Sequence, residues 1–283
     1  MPDTPSPKPV RRPLLTTVVS ATALTDHMIR IVVAGDDLDG FGVGEFTDHY
    51  VKLQFPPPGA SYTAPFDPTE IKATRPKEEW HRQRTYTVRN FDPERRELTI
   101  DFVHHGDTGL AGPWAAKAKP GDHLQLVGPG GDYSPDPEAD WHLLAGDEAV
   151  IPSIAVALGR IPPDRAAHVF IEVEDESEIV DLPCPGELRI NWLLREGRER
   201  GKSDLVLDAI RELDFPEGEV HAFVHGEAGM VRAVRRHLLE RGVPQAAMSA
   251  TGYWKLARTE EGWREDKPEW KRLAEQDAAA VGA

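Results

Sequence analysis

Short strand-like segments, separated by glycines and prolines, dominate the first half of the chain. Residues 49–55 alternate apolar and polar side chains, which is typical of a strand with one buried face. Further strand patterns cover residues 28–33, 84–89, 97–105 and 123–127. Strands at this spacing, with one short helix inserted at 114–118, predict an antiparallel β-barrel domain over residues 14–135.

The second half alternates strands with helices. Apolar strand patterns at residues 142–146, 168–173 and 221–225 alternate with helix patterns at 149–160, 205–213 and 229–241. This order predicts an α/β domain at residues 140–250, in which helices cover both faces of a parallel sheet. An acidic, proline-containing linker at 134–140 precedes it. We expect residues 251–283, which hold three tryptophans, to form a helical or irregular appendix.

Two segments show neither pattern. The first fifteen residues are rich in proline and basic side chains, and we expect them to be poorly ordered. Residues 56–83 are interrupted by prolines and carry a short helical stretch near 78–81. We interpret residues 56–83 as a long loop, a kind of segment that is usually functional or disordered.

Composition narrows the function classes. The 283 residues carry a net charge of -15, which argues against a nucleic-acid partner. No apolar run approaches the roughly 18 residues that a membrane span needs. The single Cys184 excludes an internal disulfide and a protein-held iron–sulfur cluster. These features favour a cytoplasmic protein, and we expect a monomer because no long apolar stripe is visible.

The tetrapeptide Arg84-Thr85-Tyr86-Thr87 is the sharpest candidate for chemistry. In a strand, Arg84 and Tyr86 point to the same face. A guanidinium pairs with phosphate oxygens and a phenol ring can lie against a flat ring, so the pair fits a ligand that carries both groups. A half-buried barrel strand with an exposed arginine explains the tetrapeptide equally well.

Residues 101–114 (DFVHHGDTGLAGPW) run from a strand through a turn of small residues into a helix. Backbone N–H groups at a helix N-terminus attract anions. Gly109, Ala111 and Gly112 would let a pyrophosphate approach without obstruction. A ligand-free tight turn is the alternative. Together with Arg84 and Tyr86, the turn favours a dinucleotide-like flavin.

Two further turns follow buried strands of the second domain. In open α/β sheets, ligands bind beyond the carboxyl ends of the strands. The candidate residues for a nicotinamide nucleotide are therefore Gly146, Asp147, Glu148, Gly226 and Glu227. Ordinary strand-to-helix turns are the alternative, since GxGxxG is absent. Acids at 172–176 favour NADH, because a carboxylate bonds a ribose 2′-OH and repels a 2′-phosphate; a solvated acidic loop is again the alternative.

Five ordered motifs resemble those of the siderophore-interacting protein family. They are RTYT, DFVHHGDTGLAG-W, KPGD, LAGDEAVIPSI and GYWK followed by EEGW, and the resemblance extends from about residue 14 to about residue 272. Members of this family are FAD-containing ferric-siderophore reductases, related in fold to the ferredoxin–NADP reductases. The chain departs from the family at Gly112, where serine is common, and at Ala149, where threonine is usual.

The resemblance implies roles for individual residues. Arg84 would contact the FAD pyrophosphate, Tyr86 would pack on the isoalloxazine or ribityl region, and Thr87 would lie near flavin N5. The family's His-Gly pair and phosphate turn are matched here by His105, Gly106, Gly109, Leu110, Ala111 and Gly112, with Trp114 behind them.

The C-terminal segment has implied roles as well. Tyr253 and Trp254 would cover the nicotinamide side of the flavin, or would simply pack on the core. Lys255 and Arg258 would help to bind an anionic ferric siderophore.

The implied activity is electron transfer from NADH or NADPH through FAD to ferric iron in a siderophore, with release of Fe(II). The flavin carries the redox chemistry, so we expect no side chain to act as a general acid and no metal held by the protein. A ferredoxin-like donor could replace the nucleotide. Two alternatives stay open: a flavin or ferredoxin reductase-like enzyme with another acceptor, and a non-catalytic siderophore-binding module.

Overall fold

The computed structural model describes residues 12–282, which form two domains, each built on one sheet. The first sheet is antiparallel and its seven strands are hydrogen-bonded in the order β4-β3-β7-β1-β2-β6-β5. These strands are β1 (Leu14–Ala23), β2 (Met28–Ala34), β3 (Tyr50–Phe55), β4 (Arg82–Thr87), β5 (Asn90–Asp92), β6 (Glu97–Val103) and β7 (His123–Gly130). The antiparallel fold predicted for this half is confirmed.

The chain itself joins the two edges of this sheet. β4 and β5 stand at opposite ends of the strand order but follow each other in sequence. Between them, the N–H of Val88 donates to the carbonyl of His49 next to β3, at 2.7 Å. The N–H of Arg89 donates to the carbonyl of Thr99 on β6, at 3.0 Å. The segment from β4 to β5 is therefore the seam at which the sheet curls back on itself.

Apolar side chains at alternate positions of the strands fill the interior of the first domain. Leu98, Ile100 and Phe102 of β6 are fully buried, and so are Leu124 and Leu126 of β7. Side chains at every second position point to one face of a strand, so these residues form a single apolar core.

The region predicted as a long loop contains a helix. α1 (Pro68–Thr74) precedes a single 3-10 turn at Lys77–Glu79, and β4 begins at Arg82. The side chain of Asp67 accepts the N–H groups of Thr69 and Glu70, and Pro68 occupies the first helical position. The expected helical stretch near 78–81 corresponds to the 3-10 turn at Lys77–Glu79, whereas α1, which begins at an Asp-Pro start signal ten residues earlier, was not predicted. The inserted helix α2 (Ala111–Ala115) likewise begins before the predicted 114–118.

The second domain is a five-stranded parallel sheet in the order β10-β9-β8-β11-β12. Its strands are β8 (Trp141–Asp147), β9 (Ala166–Val173), β10 (Glu187–Leu194), β11 (Val220–Glu227) and β12 (Met248–Trp254), and its helices are α3 (Ile151–Leu158), α4 (Leu205–Arg211), α5 (Ala228–Glu240) and α6 (Glu260–Val281). The predicted parallel sheet is confirmed. β10 was not predicted, and β12 crosses the expected boundary between residues 250 and 251.

The C-terminal helix α6 is fixed to the sheet domain by tryptophans. The indole N–H of Trp263 donates to the carbonyl of Gly252, at 3.2 Å, and that of Trp270 donates to the carbonyl of Ala228, at 2.8 Å. Buried indoles need such acceptors, so these bonds fix the orientation of the helix. In the described part of the chain, none of the helices combines the length and the apolar character that crossing a bilayer requires.

The two domains meet through a buried carboxylate. Glu178 of the second domain accepts the hydroxyl of Thr25 at 2.5 Å and the backbone N–H of His27 at 3.1 Å. His27 Nδ1 lies 2.8 Å from the same carboxylate. The β1–β2 turn is thereby tied to the parallel-sheet domain.

A buried arginine pairs with three carboxylates at the carboxyl edge of the parallel sheet. Arg195 is 2% exposed, and its guanidinium lies 2.9 Å from Glu148, 3.4 Å from Glu172 and 3.1 Å from Glu174. Removal of one partner from a buried ion pair leaves uncompensated charge in a poorly solvated place.

We therefore expect Arg195→Ala to lower the free energy of unfolding by about 3–5 kcal/mol. Arg189→Ala is the matched control, because Arg189 lies on β10, shortly before Arg195, and within residues 12–282 its salt-bridge partner is the exposed Glu187. Its effect should stay below about 1 kcal/mol. Urea unfolding followed by circular dichroism measures both, and equal losses would contradict the assignment.

Candidate functional site

Arg84 on β4 is engaged by the first turn of α6. Its Nη1 donates to Glu261 Oε1 at 2.6 Å, and its Nε lies 3.7 Å from Glu260 Oε2. The hydroxyl of Thr85 donates to Glu260 at 3.3 Å. The predicted phosphate-binding arginine is thus held in place by the two glutamates of the EEGW motif, a contact that neither motif could indicate because Glu261 lies 177 residues from Arg84.

Tyr86 and Thr87 face opposite sides of β4, as strand alternation predicts. The ring of Tyr86 packs on Phe102 with centroids 4.4 Å apart, and burial raises the pKa of its hydroxyl. Thr87 is buried and faces the second domain. The hydroxyl of Tyr253 lies close to the side chains of Thr87 and Ser153, and burial raises its pKa as well. The flavin-strand candidate therefore contacts both the end of β12 and the start of α3.

The turn after β6 leaves open space at its glycines. Gly106 and Gly109 have positive φ angles of 61° and 90°, and no heavy atom lies within 4 Å of where a Cβ would be. Leu110 precedes α2 without a side-chain cap, and Ala111 is buried beneath it. A ligand phosphate can approach this backbone without meeting a side chain.

Gly112 is explained by packing. A Cβ at this position would lie 3.0 Å from the carbonyl oxygen of Val103, so the serine common in the resembled family would be crowded here. Trp114 stands behind the turn, with its ring 5.7 Å from that of Phe102 and 5.6 Å from that of Phe55. The turn, Arg84 and Tyr86 together present a guanidinium, an aromatic ring and a bare backbone, which is a donor set that fits a flavin dinucleotide.

Asp147 is buried at the end of β8. Its carboxylate accepts N–H groups from Ala149 at 2.9 Å, Glu227 at 2.9 Å and the Trp254 indole at 2.8 Å. Burial raises its pKa to about 6, against the influence of Arg200. Asp147, predicted to contact a nucleotide, is therefore buried, and it links the ends of β8, β11 and β12.

Glu148 is also buried. Both of its oxygens accept from Arg195, at 2.9 and 3.0 Å, and Arg200 Nε lies 3.2 Å away. Burial alone would raise the pKa of Glu148, but Arg200 and Arg195 hold it below its usual value.

The glycines of this rim permit close approach between strands. A Cβ at Gly146 would lie 2.2 Å from the carbonyl oxygen of His225. Gly226 has a φ of 126°, and a Cβ there would lie 2.8 Å from Asp147. Glu227 caps α5 by accepting the N–H groups of Gly229 and Met230. The predicted rim residues thus shape the edge of the sheet.

The acids at 172–176 are mostly paired within the protein. Glu172 accepts from Ser203 and Arg195, and Glu174 also accepts from Arg195. Asp175 accepts the N–H and hydroxyl of Ser177. Glu172 and Glu174 share the single cation of Arg195, whereas Asp175 keeps its negative charge, so the preference for NADH stays a prediction.

An arginine that the motifs did not identify lies at the centre of this rim. Arg200 follows β10, and its guanidinium stacks on the Trp254 ring at 4.0 Å. Its Nη1 donates to His105 Nε2 of the first domain at 2.8 Å. The sequence analysis did not single out the loop that carries Arg200, because β10, the strand before it, was not predicted.

Basic side chains on α6 and in the segment just before it form two groups, one that pairs with a carboxylate and one that makes no salt bridge within residues 12–282. Lys255 and Arg258, the predicted siderophore contacts, both pair with Asp266, at 3.1 and 2.8 Å. Lys267 has its pKa lowered by burial and by the nearby Lys271 and Lys52.

Lys52 lies on β3, whereas Lys267 and Lys271 lie one turn apart on α6. Within residues 12–282, these three lysines, called here the lysine cluster, make no salt bridge. Mutually repelling cations of this kind attract an anionic ligand. The spacing of four residues between Lys267 and Lys271 was the available sequence signal, but the electrostatic influence of Lys52 on Lys267 was not predictable.

His105 should make stability depend on pH. Burial, helped by Arg200, lowers its pKa to about 4, below its usual value of 6.5. A depressed histidine pKa means that its contribution is complete above about pH 6.5 and is lost as the pH falls towards 4. His105→Gln stays neutral, so we expect acidification from pH 7.5 to 4.5 to lower the wild-type Tm by more than that of the variant.

Thermal unfolding at both pH values tests this expectation. His123→Gln, at an exposed position on β7, is the control and should follow the wild type. Parallel pH profiles for wild type and His105→Gln would contradict the assignment.

Family models match both domains. Residues 17–133 match the model described as a siderophore-interacting FAD-binding domain, and residues 139–257 match that of siderophore-interacting protein. An uncharacterised protein of Mycobacterium tuberculosis is 41% identical, with 92% of this chain and 95% of the relative covered.

Two named proteins are similar over nearly the whole chain. The ferric vibriobactin reductase ViuB of Vibrio cholerae is 34% identical, with coverage of 90% of this chain and 94% of ViuB. The crystal structure of a siderophore utilization protein from T. fusca is 36% identical and has a TM-score of 0.77, with 88% of this chain and 94% of that chain covered.

Proposed function

Because the chain belongs to the siderophore-interacting protein family, we propose that it is an FAD-dependent reductase of ferric siderophores with NADH or NADPH as donor. The observation that carries the proposal is the position of β4. Arg84 and Tyr86 lie on one face of this strand, and Thr87 on the other face reaches Tyr253 at the carboxyl edge of the parallel sheet. A flavin on β4 would thus lie between its own binding turn and the crevice in which nucleotides bind.

The first domain would hold FAD through residues already described. Arg84 would bind the diphosphate through Nη2, since its contacts with Glu260 and Glu261 involve Nε and Nη1, and the backbone N–H groups at Gly109 would donate to the other phosphate oxygens. Tyr86 would lie beside the ring system. When bound, FAD supplies the redox chemistry, because a flavin accepts a hydride from a nicotinamide and gives up electrons one at a time.

The lysine cluster would receive the ferric siderophore. Its members make no salt bridge within residues 12–282, and Glu260 only partly offsets the repulsion at Lys267, whereas Lys255 and Arg258 share Asp266. An anionic iron complex would relieve the repulsion that lowers the pKa of Lys267. Lys255 and Arg258 keep an excess of one positive charge and would contribute more weakly. Reduction to Fe(II) weakens hard oxygen coordination and so favours release of the iron.

We also propose a cytoplasmic monomer. The single Cys184 suits a reducing compartment, where disulfides do not form. A ferredoxin-like protein would be an alternative donor to the nucleotide.

The first test is the absorption spectrum of the purified protein under anaerobic conditions. We expect oxidised-flavin bands that bleach with NADH or NADPH and return when a ferric siderophore is added. If the bands return only with other acceptors, the protein is a flavin reductase but a ferric siderophore is not its substrate. A spectrum without flavin, even after incubation with FAD, would reject the reductase and leave a binding protein.

The lysine cluster gives a second expected outcome. The double variant Lys267→Gln and Lys271→Gln should raise the KM for an anionic ferric siderophore about tenfold, which corresponds to about 1.4 kcal/mol of lost binding. Steady-state kinetics with an uncharged quinone should be unchanged. Lys119→Gln, an exposed control in the turn before β7, should match the wild type. A uniform loss with both acceptors would contradict a substrate role.

A further inference from the structure

The carboxyl edge of the parallel sheet is strongly acidic. Carboxylates cluster where β8, β9 and β11 end, and they belong to Asp147, Glu148, Glu172, Glu174 and Glu227. A nicotinamide dinucleotide carries a negatively charged diphosphate, so an edge of this charge repels it unless a cation receives it. The loop after β10 supplies arginines at this edge.

Arg195 cannot be that cation. Its side chain is 2% exposed, and its guanidinium is consumed by Glu148, Glu172 and Glu174. A ligand would have to break this buried network to reach it, which would leave uncompensated charges in a poorly solvated place.

Arg200 is accessible and incompletely bonded. Its side chain is 26% exposed, and its Nη1 is used by the neutral imidazole of His105. Its Nε is 3.2 Å from Glu148 Oε1, but the geometry leaves that N–H without a hydrogen bond among the described residues. Glu148 keeps both bonds to Arg195 in any case. If Arg200 moves away, Glu148 stays paired with Arg195, and Asp147, 4.0 Å from Nη2 of Arg200, keeps its three N–H donors.

The backbone next to Arg200 fixes it over the indole of Trp254. Gly201 has a φ of 76°, and a Cβ at this position would lie 2.9 Å from the Trp254 ring and 3.2 Å from Glu227. The loop therefore passes closely over the end of β12. A guanidinium held at 4.0 Å above an indole is attracted by the ring, which keeps Arg200 at the mouth of the crevice.

We propose that Arg200 binds the diphosphate of the nicotinamide donor and that this contact draws it away from Trp254. This inference rests on the proposed function, since it requires a nucleotide donor. Guanidinium groups pair with phosphate oxygens through two parallel N–H bonds. Because the same guanidinium stacks on Trp254, donor binding frees the indole on one face while Asp147 still holds its N–H.

The experiment uses the FAD-loaded full chain and the variants Arg200→Ala and Arg200→Lys. We expect Arg200→Ala to raise the KM for NADH and NADPH by tenfold or more with a much smaller change in kcat, and Arg200→Lys to recover part of the loss. A reduced N-alkyl nicotinamide, which has no phosphate, should reduce the flavin of wild type and variant at equal rates. Equal losses for the phosphate-free donor, or no change in KM, would overturn the proposal.

Two controls separate this proposal from the function on which it rests. Arg198→Ala changes an exposed arginine of the same loop and should leave the KM unchanged. Reoxidation of photoreduced flavin by a ferric siderophore should be the same in all variants. A wild type that oxidises neither NADH nor NADPH would overturn the nucleotide donor itself, whereas a wild type and an Arg200→Ala variant with equal KM values would overturn the role of Arg200 alone.

Discussion

One buried carboxylate organises the edge of the sheet on which the proposed chemistry depends. Asp147 is the acceptor for three N–H groups, from Ala149, Glu227 and Trp254. A carboxylate without such donors would be costly at this depth, and its raised pKa reflects the part of that cost which remains. The hydrogen bond to Asp147 orients the Trp254 indole, and stacking on that indole positions Arg200.

The fold was predictable where the hydrophobic pattern is complete. β8, β9 and β11 are buried along nearly their whole length, and they read as continuous apolar runs. β10 and β12 are the edge strands of the sheet, and their half-exposed faces mix polar with apolar residues. Periodicity alone does not distinguish such strands from loops, which is why β10 was missed and β12 was divided between two segments.

The site was predictable only where a local motif carries it. The turn at Gly106 and Gly109 has a backbone shape that sequence reveals, because glycine is favoured at positive φ. Contacts between residues that are far apart in the sequence leave no comparable local pattern. Glu261 is 177 residues from Arg84, and Arg200 is 95 residues from His105, so their contacts arise only from the packing of domains.

The seam of the first domain has a thermodynamic consequence. The segment that carries Arg84 and Tyr86 is continuous with the one that joins β3 to β6 through Val88 and Arg89. A ligand bound to β4 therefore stabilises the seam, where the two edges of the sheet would otherwise separate. Ligand present at a hundredfold excess over its Kd adds about 2.7 kcal/mol to the free energy of unfolding. Because proteases cleave the unfolded chain, the supply of cofactor would control the lifetime of the protein as well as its activity.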